Sequence, residues 1–169
     1  GSSINAGTGT AMSGTILLQS TGANGGSIQA QGLTTRNNTI TITSGDGIAL
    51  QAAVNSNGGL IDIDAVTSVT SSGVGTMTTT AQAANGASGA VDIDAGTSVT
   101  LSGNIITTGV AINGAGGNVN IDTVNGSITV AGIEASGAGA GAGGNIILDS
   151  DGVNADVAIN SGLSTNGAA

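Results

Sequence analysis

Two short phrases alternate along the whole chain, and together they constrain the architecture more than any other feature. The first is a small-residue turn followed by an apolar residue that opens an alternating strand, as in Gly117-Asn118-Val119-Asn120-Ile121-Asp122. It occurs six times, with anchors at Ile4, Ile28, Ile61, Val91, Val119 and Ile146. The intervals are uneven but average roughly 28 residues, within the range of repeat architectures. The second phrase, apolar-x-apolar, follows each anchor after a short corner and starts at Ile16, Ile40, Val69, Val99, Ile128 and Val157. Self-similarity of this kind marks a stack of coils, each burying its apolar face against the next. The expectation is an all-β, parallel β-helix (β-solenoid) of about six three-sided coils forming one domain over 1–169. The coils fall at about 1–24, 25–57, 58–87, 88–115, 116–142 and 143–169.

The coil from Gly116 to Ala142 shows the three sides. Val119 and Ile121 point inward from the first, Ile128 and Val130 from the second, and Ile133 opens a shorter third. Gly117, Gly126, Gly132 and Gly137 mark the corners, where residues tolerant of unusual backbone angles are needed. A spacing of two between apolar positions, with glycine so frequent, excludes helix. Extra residues in Ala49 to Asn57 and Gly75 to Ala87 read as loops bulging from one edge, the places where a solenoid carries specificity.

Composition agrees with a narrow aliphatic core. The 169 residues include 32 Gly and no Phe, Tyr, Trp, Pro, Cys or His. Backbone ladders and stacked β-branched side chains must replace the area that aromatics supply elsewhere. The Gly, Ser, Thr and Asn content also suits a disordered chain, but period-two alternation recurring in register argues against disorder. Ten acidic residues face one base, Arg36, for a net charge of −9. Nucleic acid is therefore not an expected partner, since phosphate contacts need Lys or Arg. No apolar run is long enough to span a bilayer as a helix, so membrane insertion is not expected, and no secretion signal is read in the chain.

Stacking turns outward positions into rows roughly 4.8 Å apart. One row runs through Asp64, Asp94, Asp122 and Asp149, with Asp62 and Asp92 beside its first two members. A second is read as Thr41, Thr70, Thr100 and Thr129, flanked by Thr39, Ser68, Ser98 and Ser127. No polar cap is read at either end. A second copy joined after Ala169 would place its own Ile4 as far beyond Ile146 as Ile146 lies beyond Val119. Gly1, Ser2, Ser3, Gly167, Ala168 and Ala169 are accordingly the candidate assembly ends, with further copies of the chain as partners.

The phrases Gly116-Gly117-Asn118-Val119-Asn120-Ile121-Asp122 and Gly126-Ser127-Ile128-Thr129-Val130-Ala131-Gly132-Ile133-Glu134-Ala135-Ser136-Gly137 resemble the β-helical repeats of filamentous-haemagglutinin-like exoproteins and large bacterial adhesins. The resemblance covers most of the chain through composition and period. It implies a right-handed parallel β-helix and an extracellular or cell-surface habitat, and it carries over no active site. The family's amino-terminal secretion domain is not recognisable here.

The chemistry on offer is limited. Without His, Cys, Lys or Tyr, a Ser or Thr nucleophile lacks its usual activating base, so an enzyme is not expected. The pairs Asp62/Asp64 and Asp92/Asp94 could serve carboxylate chemistry, but the chain has no aromatic platform for a sugar. Asp62, Asp64, Asp92, Asp94, Asp122 and Asp149 are calcium candidates, because hard cations want several oxygens and like charges about 4.8 Å apart repel by about 0.9 kcal/mol even in water. The competing reading is a solvated acidic face that keeps the surface soluble; neither an EF-hand nor a calcium-binding nonapeptide is present, and no cofactor is required. The Thr row admits ice binding, though Leu17 and Ala158 interrupt it and Thr suits any outward strand position. The sequence thus favours a structural or adhesive extracellular unit of a fibre, sheath or stalk. Its alternative is a module displaying loops 49–57 and 75–87 to surface glycans or host proteins.

Overall fold

The computed structural model describes residues 4–6, 14–21, 26–82 and 86–167. Among these, seventeen strands follow one another. They are β1 (Ile4–Ala6), β2 (Ile16–Ser20), β3 (Ile28–Ala30), β4 (Leu33–Thr35), β5 (Ile40–Ser44), β6 (Ile48–Leu50), β7 (Val54–Asn55), β8 (Ile61–Ala65) and β9 (Ser68–Ser71). There follow β10 (Met77–Thr78), β11 (Val91–Ala95), β12 (Ser98–Leu101), β13 (Ile105–Ile106), β14 (Val119–Thr123), β15 (Ile128–Glu134), β16 (Ile146–Ser150) and β17 (Val157–Ser164). No helix occurs among the described residues.

Every pairing is parallel, and the strands sort into three columns. Side one runs β2-β5-β8-β11-β14-β16. Side two runs β3-β6-β9-β12 and on into the first halves of β15 and β17. Side three runs β1-β4-β7-β10-β13 and into their second halves, β15 bending between Val130 and Gly132 to serve both sides. The chain is a three-sided parallel β-solenoid of about five turns, six strands deep on side one.

Inward residues of the three sides meet along the axis. Ile40, Ile42, Ile61, Ile63, Ile93 and Ile121 of side one are fully buried, as are Leu50 and Val69 of side two and Val54, Met77 and Ile105 of side three. Outward residues alternate with them, as in the buried-intermediate pattern of Ile40–Ser44. Backbone bonds tie each turn to the next where it enters side one: the N–H groups of Ile40, Ile61, Val91 and Val119 donate to the carbonyls of Leu60, Ala90, Asn118 and Asn145 at 2.8–3.0 Å.

The register corrects the sequence reading over the early part of the chain. Of the anticipated ladder, Ile61, Val91, Val119 and Ile146 do stack on side one. Ile28 belongs to side two, paired with Ile48, and Ile4 belongs to side three, paired with Leu33. Their places on side one are taken by Ile16 and Ile40, which the sequence had assigned to the second phrase. The cause is a change of period. The step along the chain from Ile40 to its partner Ile61 is a quarter shorter than the step from Val91 to Val119, so a repeat length carried back from the later coils slips by one side. The expected loop at 49–57 is likewise strand for much of its length, since it holds the end of β6 and all of β7, and 75–87 contains β10. Gly1, Ser2, Ser3, Ala168 and Ala169 lie outside the described residues.

Candidate functional site

Three surface features are built on this scaffold: an acidic face, a lateral ledge and an open rung. The acidic face is the outside of side one, whose strands alternate apolar and polar positions. Register places Thr43, Asp64, Asp94, Asp122 and Asp149 in one column and Thr41, Asp62, Asp92, Asn120 and Ile147 in the other. All six candidate aspartates therefore share one face. Thr41 joins them there rather than heading a Thr row on side two, because β5 is a side-one strand. The side-two row is Thr70, Thr100 and Thr129, beside Ser68 and Ser98, and is bounded by Ala49 and Ala158.

Neutral donors bracket the carboxylates. Thr43 Oγ1 lies 3.5 Å from Asp64 Oδ2, and Asn120 Nδ2 donates to Asp92 Oδ1 at 3.0 Å. Partial burial pushes the Asp62 carboxyl above the usual carboxylate range, and the charges of Asp64 and Asp92 push the same way, while a hydrogen bond from Thr41 pulls it partly back. Asp94 is raised by burial and then by Asp92, Asp64, Asp122 and Asp62. Mutual repulsion and lost hydration thus both favour the protonated form. Among the described residues no three acidic side chains are grouped as metal ligands would be. Along one edge the column walls a shallow groove of about 500 Å³ containing Asp64, Asp94 and Asp122 together with Val66, Gly96 and Val124.

The ledge grows from the corner between sides three and one. At this corner a column of buried hydroxyls, Thr35, Ser56, Thr79 and Thr107, faces the core. Each donates to a carbonyl across the corner: Thr35 to Asn38 at 2.6 Å, Ser56 to Gly59 at 2.5 Å, Thr79 to Gly89 at 2.6 Å and Thr107 to Gly117 at 2.7 Å. The first two bonds span three residues and the last two span ten. The same neck is closed in all four turns, and in the later ones an excursion is pinched off beyond it. A buried hydroxyl without such a partner would be costly, which is why small polar residues tolerate these interior sites.

The excursions stack on one another. Gly109 and Gly116 N–H donate to the carbonyls of Ser136 and Ala142 at 2.8 and 2.9 Å, and Ala138 and Ala140 N–H to those of Gly114 and Ile112 at 2.9 and 2.6 Å. A Cβ on Gly141 would overlap the Gly114 carbonyl, and one on Gly114 would crowd Val110 and Gly86. The Gly-Ala run of 137–144 is therefore a packing requirement. Ile112, at the edge of the ledge, is 71% exposed. The sequence reading placed extra residues at 49–57 and 75–87; the second stretch overlaps the excursion closed by Thr79 and Gly89, whereas the later excursions were not read.

The open rung is formed by β16 and β17. Val157, Ile159 and Leu163 are 41–45% exposed, whereas their partners one rung back, Ile128, Val130 and Ile133, are at most 3% exposed. These residues continue the inward columns, beside strand edges with no further strand paired to them among the described residues.

Fold and surface together define a repeat-built parallel β-solenoid with an acidic flank and a laterally stacked ledge. No family model matches the chain, nor does any curated protein or solved structure.

Proposed function

We propose that the chain is a structural or adhesive extracellular repeat unit of a stiff surface fibre, sheath or stalk. The observation that supports this most is the stacking of all three sides in parallel columns around a buried core of Ile and Val. Apolar residues left 41–45% exposed at Val157, Ile159 and Leu163 become buried when another rung of the same type stacks on β16 and β17. Parallel strand edges are templates for further pairing, so continuation supplies both backbone bonds and apolar burial. Stiffness then comes from repetition, with strength spread over columns of Ile and Val rather than vested in a single side chain. The further rung is supplied by continuing chain in a tandem array or by a second copy docking end to end. The acidic flank suits this role, since like charge discourages lateral sticking of rods.

A second reading rests on the ledge. It is a module that presents the stacked excursions, with Ile112 exposed among them, to a glycan or host protein.

Negative-stain electron microscopy of the isolated 169-residue chain beside the native material separates these readings. Filaments grown from the isolated chain, and lost in Ile159→Asp, establish docking through the open rung. Monomers from the chain beside native rods establish covalent continuation. Monomers in both samples overturn the fibre reading in favour of the ledge.

A further inference from the structure

The chain is rich in Asn-Gly steps, the dipeptide most prone to self-cyclisation because glycine leaves the attacking amide unhindered. Two that fall in corners among the described residues have opposite surroundings. Asn57-Gly58 lies in the corner between sides three and one, with Asn57 only 8% exposed at φ 51°. Both ends of its carboxamide are engaged: Nδ2 donates to the Thr35 carbonyl at 2.5 Å and Oδ1 accepts from Gln82 Nε2 at 2.6 Å. Asn125-Gly126 lies in the corner between sides one and two, where Asn125 is exposed. No hydrogen bond engages its carboxamide or the Gly126 N–H among the described residues. Asn113-Gly114 is an intermediate case, its asparagine exposed but its glycine buried between neighbouring excursions.

We infer that Asn125 is a site of spontaneous covalent modification in the folded protein, while Asn57 is held unreactive by the fold. The Gly126 amide nitrogen, its proton taken up by hydroxide, attacks Asn125 Cγ. The N–Cγ bond forms, the Cγ–Nδ2 bond breaks, and the carboxamide nitrogen takes a proton from water and leaves as ammonia, regenerating the hydroxide. Water then opens the five-membered imide at either carbonyl, giving aspartate or, with the main chain rerouted through Cγ, isoaspartate. No oxidant, reductant or enzyme is needed. Either product adds a carboxylate next to the acidic groove wall at Asp122 and Val124. The rerouted product also lengthens the main chain at a corner where the Gly126 carbonyl accepts from Thr123 Oγ1 at 2.5 Å and from Ser150 Oγ at 2.8 Å. Modification therefore loosens the seam between two adjacent rungs and leaves the fold of the others untouched.

The test is peptide mapping after prolonged incubation of the folded chain at mildly alkaline pH. Cleavage on the amino side of aspartate isolates 122–148 and 46–61, which carry Asn125 and Asn57 on separate peptides. Amide-to-acid exchange should accumulate in the first more than about tenfold faster than in the second, because reaction at Asn57 must await local opening. Isoaspartyl methyltransferase should label the 122–148 peptide, and Asn125→Gln, a surface change, should remove that label. In denaturant the two rates should converge. Equal rates in the folded chain, or an unmodified Asn125 under conditions that convert the denatured chain, overturn the assignment.

Discussion

The turn from Ile40 to Ile61 is a quarter shorter than the turn from Val91 to Val119, yet both present the same three inward columns to the axis. The difference lies in one corner. The early turn closes between Ser56 and Gly59 and the later one between Thr107 and Gly117, with Thr79 and Gly89 closing the turn from Ile61 to Val91, and in each case a buried hydroxyl makes a closing bond. Length is thus varied outside a fixed neck, and the rungs inside it remain in register. A coil of this kind is defined by its neck and its apolar columns, while the distance between repeats along the sequence is free to drift. Loop-closure entropy rises only slowly with length, so such excursions cost little once the neck is bonded.

The most severe way to break the comparison is an inward charge. Val119→Asp in a long turn and Ile40→Asp in a short one should each cost several kcal/mol, because the carboxylate would be buried without a partner. Chemical denaturation measures both. A tolerated charge in one turn only would mean that the two kinds of turn do not share a core.

Removing the neck hydroxyl should cost less and should distinguish the turns. Thr107→Val leaves the Gly117 carbonyl short of a donor, a loss of about 1–3 kcal/mol. It should also reduce hydrogen-exchange protection of the Gly109 and Gly116 amides, which bridge to the next excursion. Thr35 closes a span of only three residues, so Thr35→Val should leave those amides protected.

The smallest effect belongs to the acidic flank, which crosses both kinds of turn. Asp62 and Asp94 have folded-state pKa values above those of an unfolded chain. Their contribution is neutral while both states are protonated. Stability is then lost as the pH rises from about 4 through the raised folded values, since the folded state resists giving up the proton. Asp94→Asn should flatten this dependence and raise the melting temperature slightly at neutral pH. An unchanged pH profile in this variant would show that the column does not repel itself appreciably.

Much of the fold was legible because apolar residues two apart recur where strands occur. The Asp column was legible too, since Asp62-x-Asp64 and Asp92-x-Asp94 occupy equivalent places in neighbouring repeats. The early register was not. Ile28-x-Ala30, Ile40-x-Ile42 and Ile48-x-Leu50 are alike as patterns, and nothing within them states which side they occupy. β7 hid in a supposed loop because Val54–Asn55 offers a single inward residue. The neck was invisible for a different reason. Thr35 ends a short strand and Thr79 and Thr107 follow one, each ahead of a corner, where a threonine pointing to solvent is equally ordinary; only pairing of the rungs reveals that they line up inside.

Pinched necks also give the solenoid a way to yield. A pull that frays a turn must break the hydroxyl bond between Thr107 and Gly117, the Gly117 N–H bond to the Thr107 carbonyl and the bonds that stack the excursion on its neighbour, and only then frees a ten-residue span held out of the load path. Extended, that span adds roughly 30 Å of slack. The two long necks are thereby sacrificial fasteners over hidden length, and a stalk made of such turns would lengthen in steps under tension before its core columns parted.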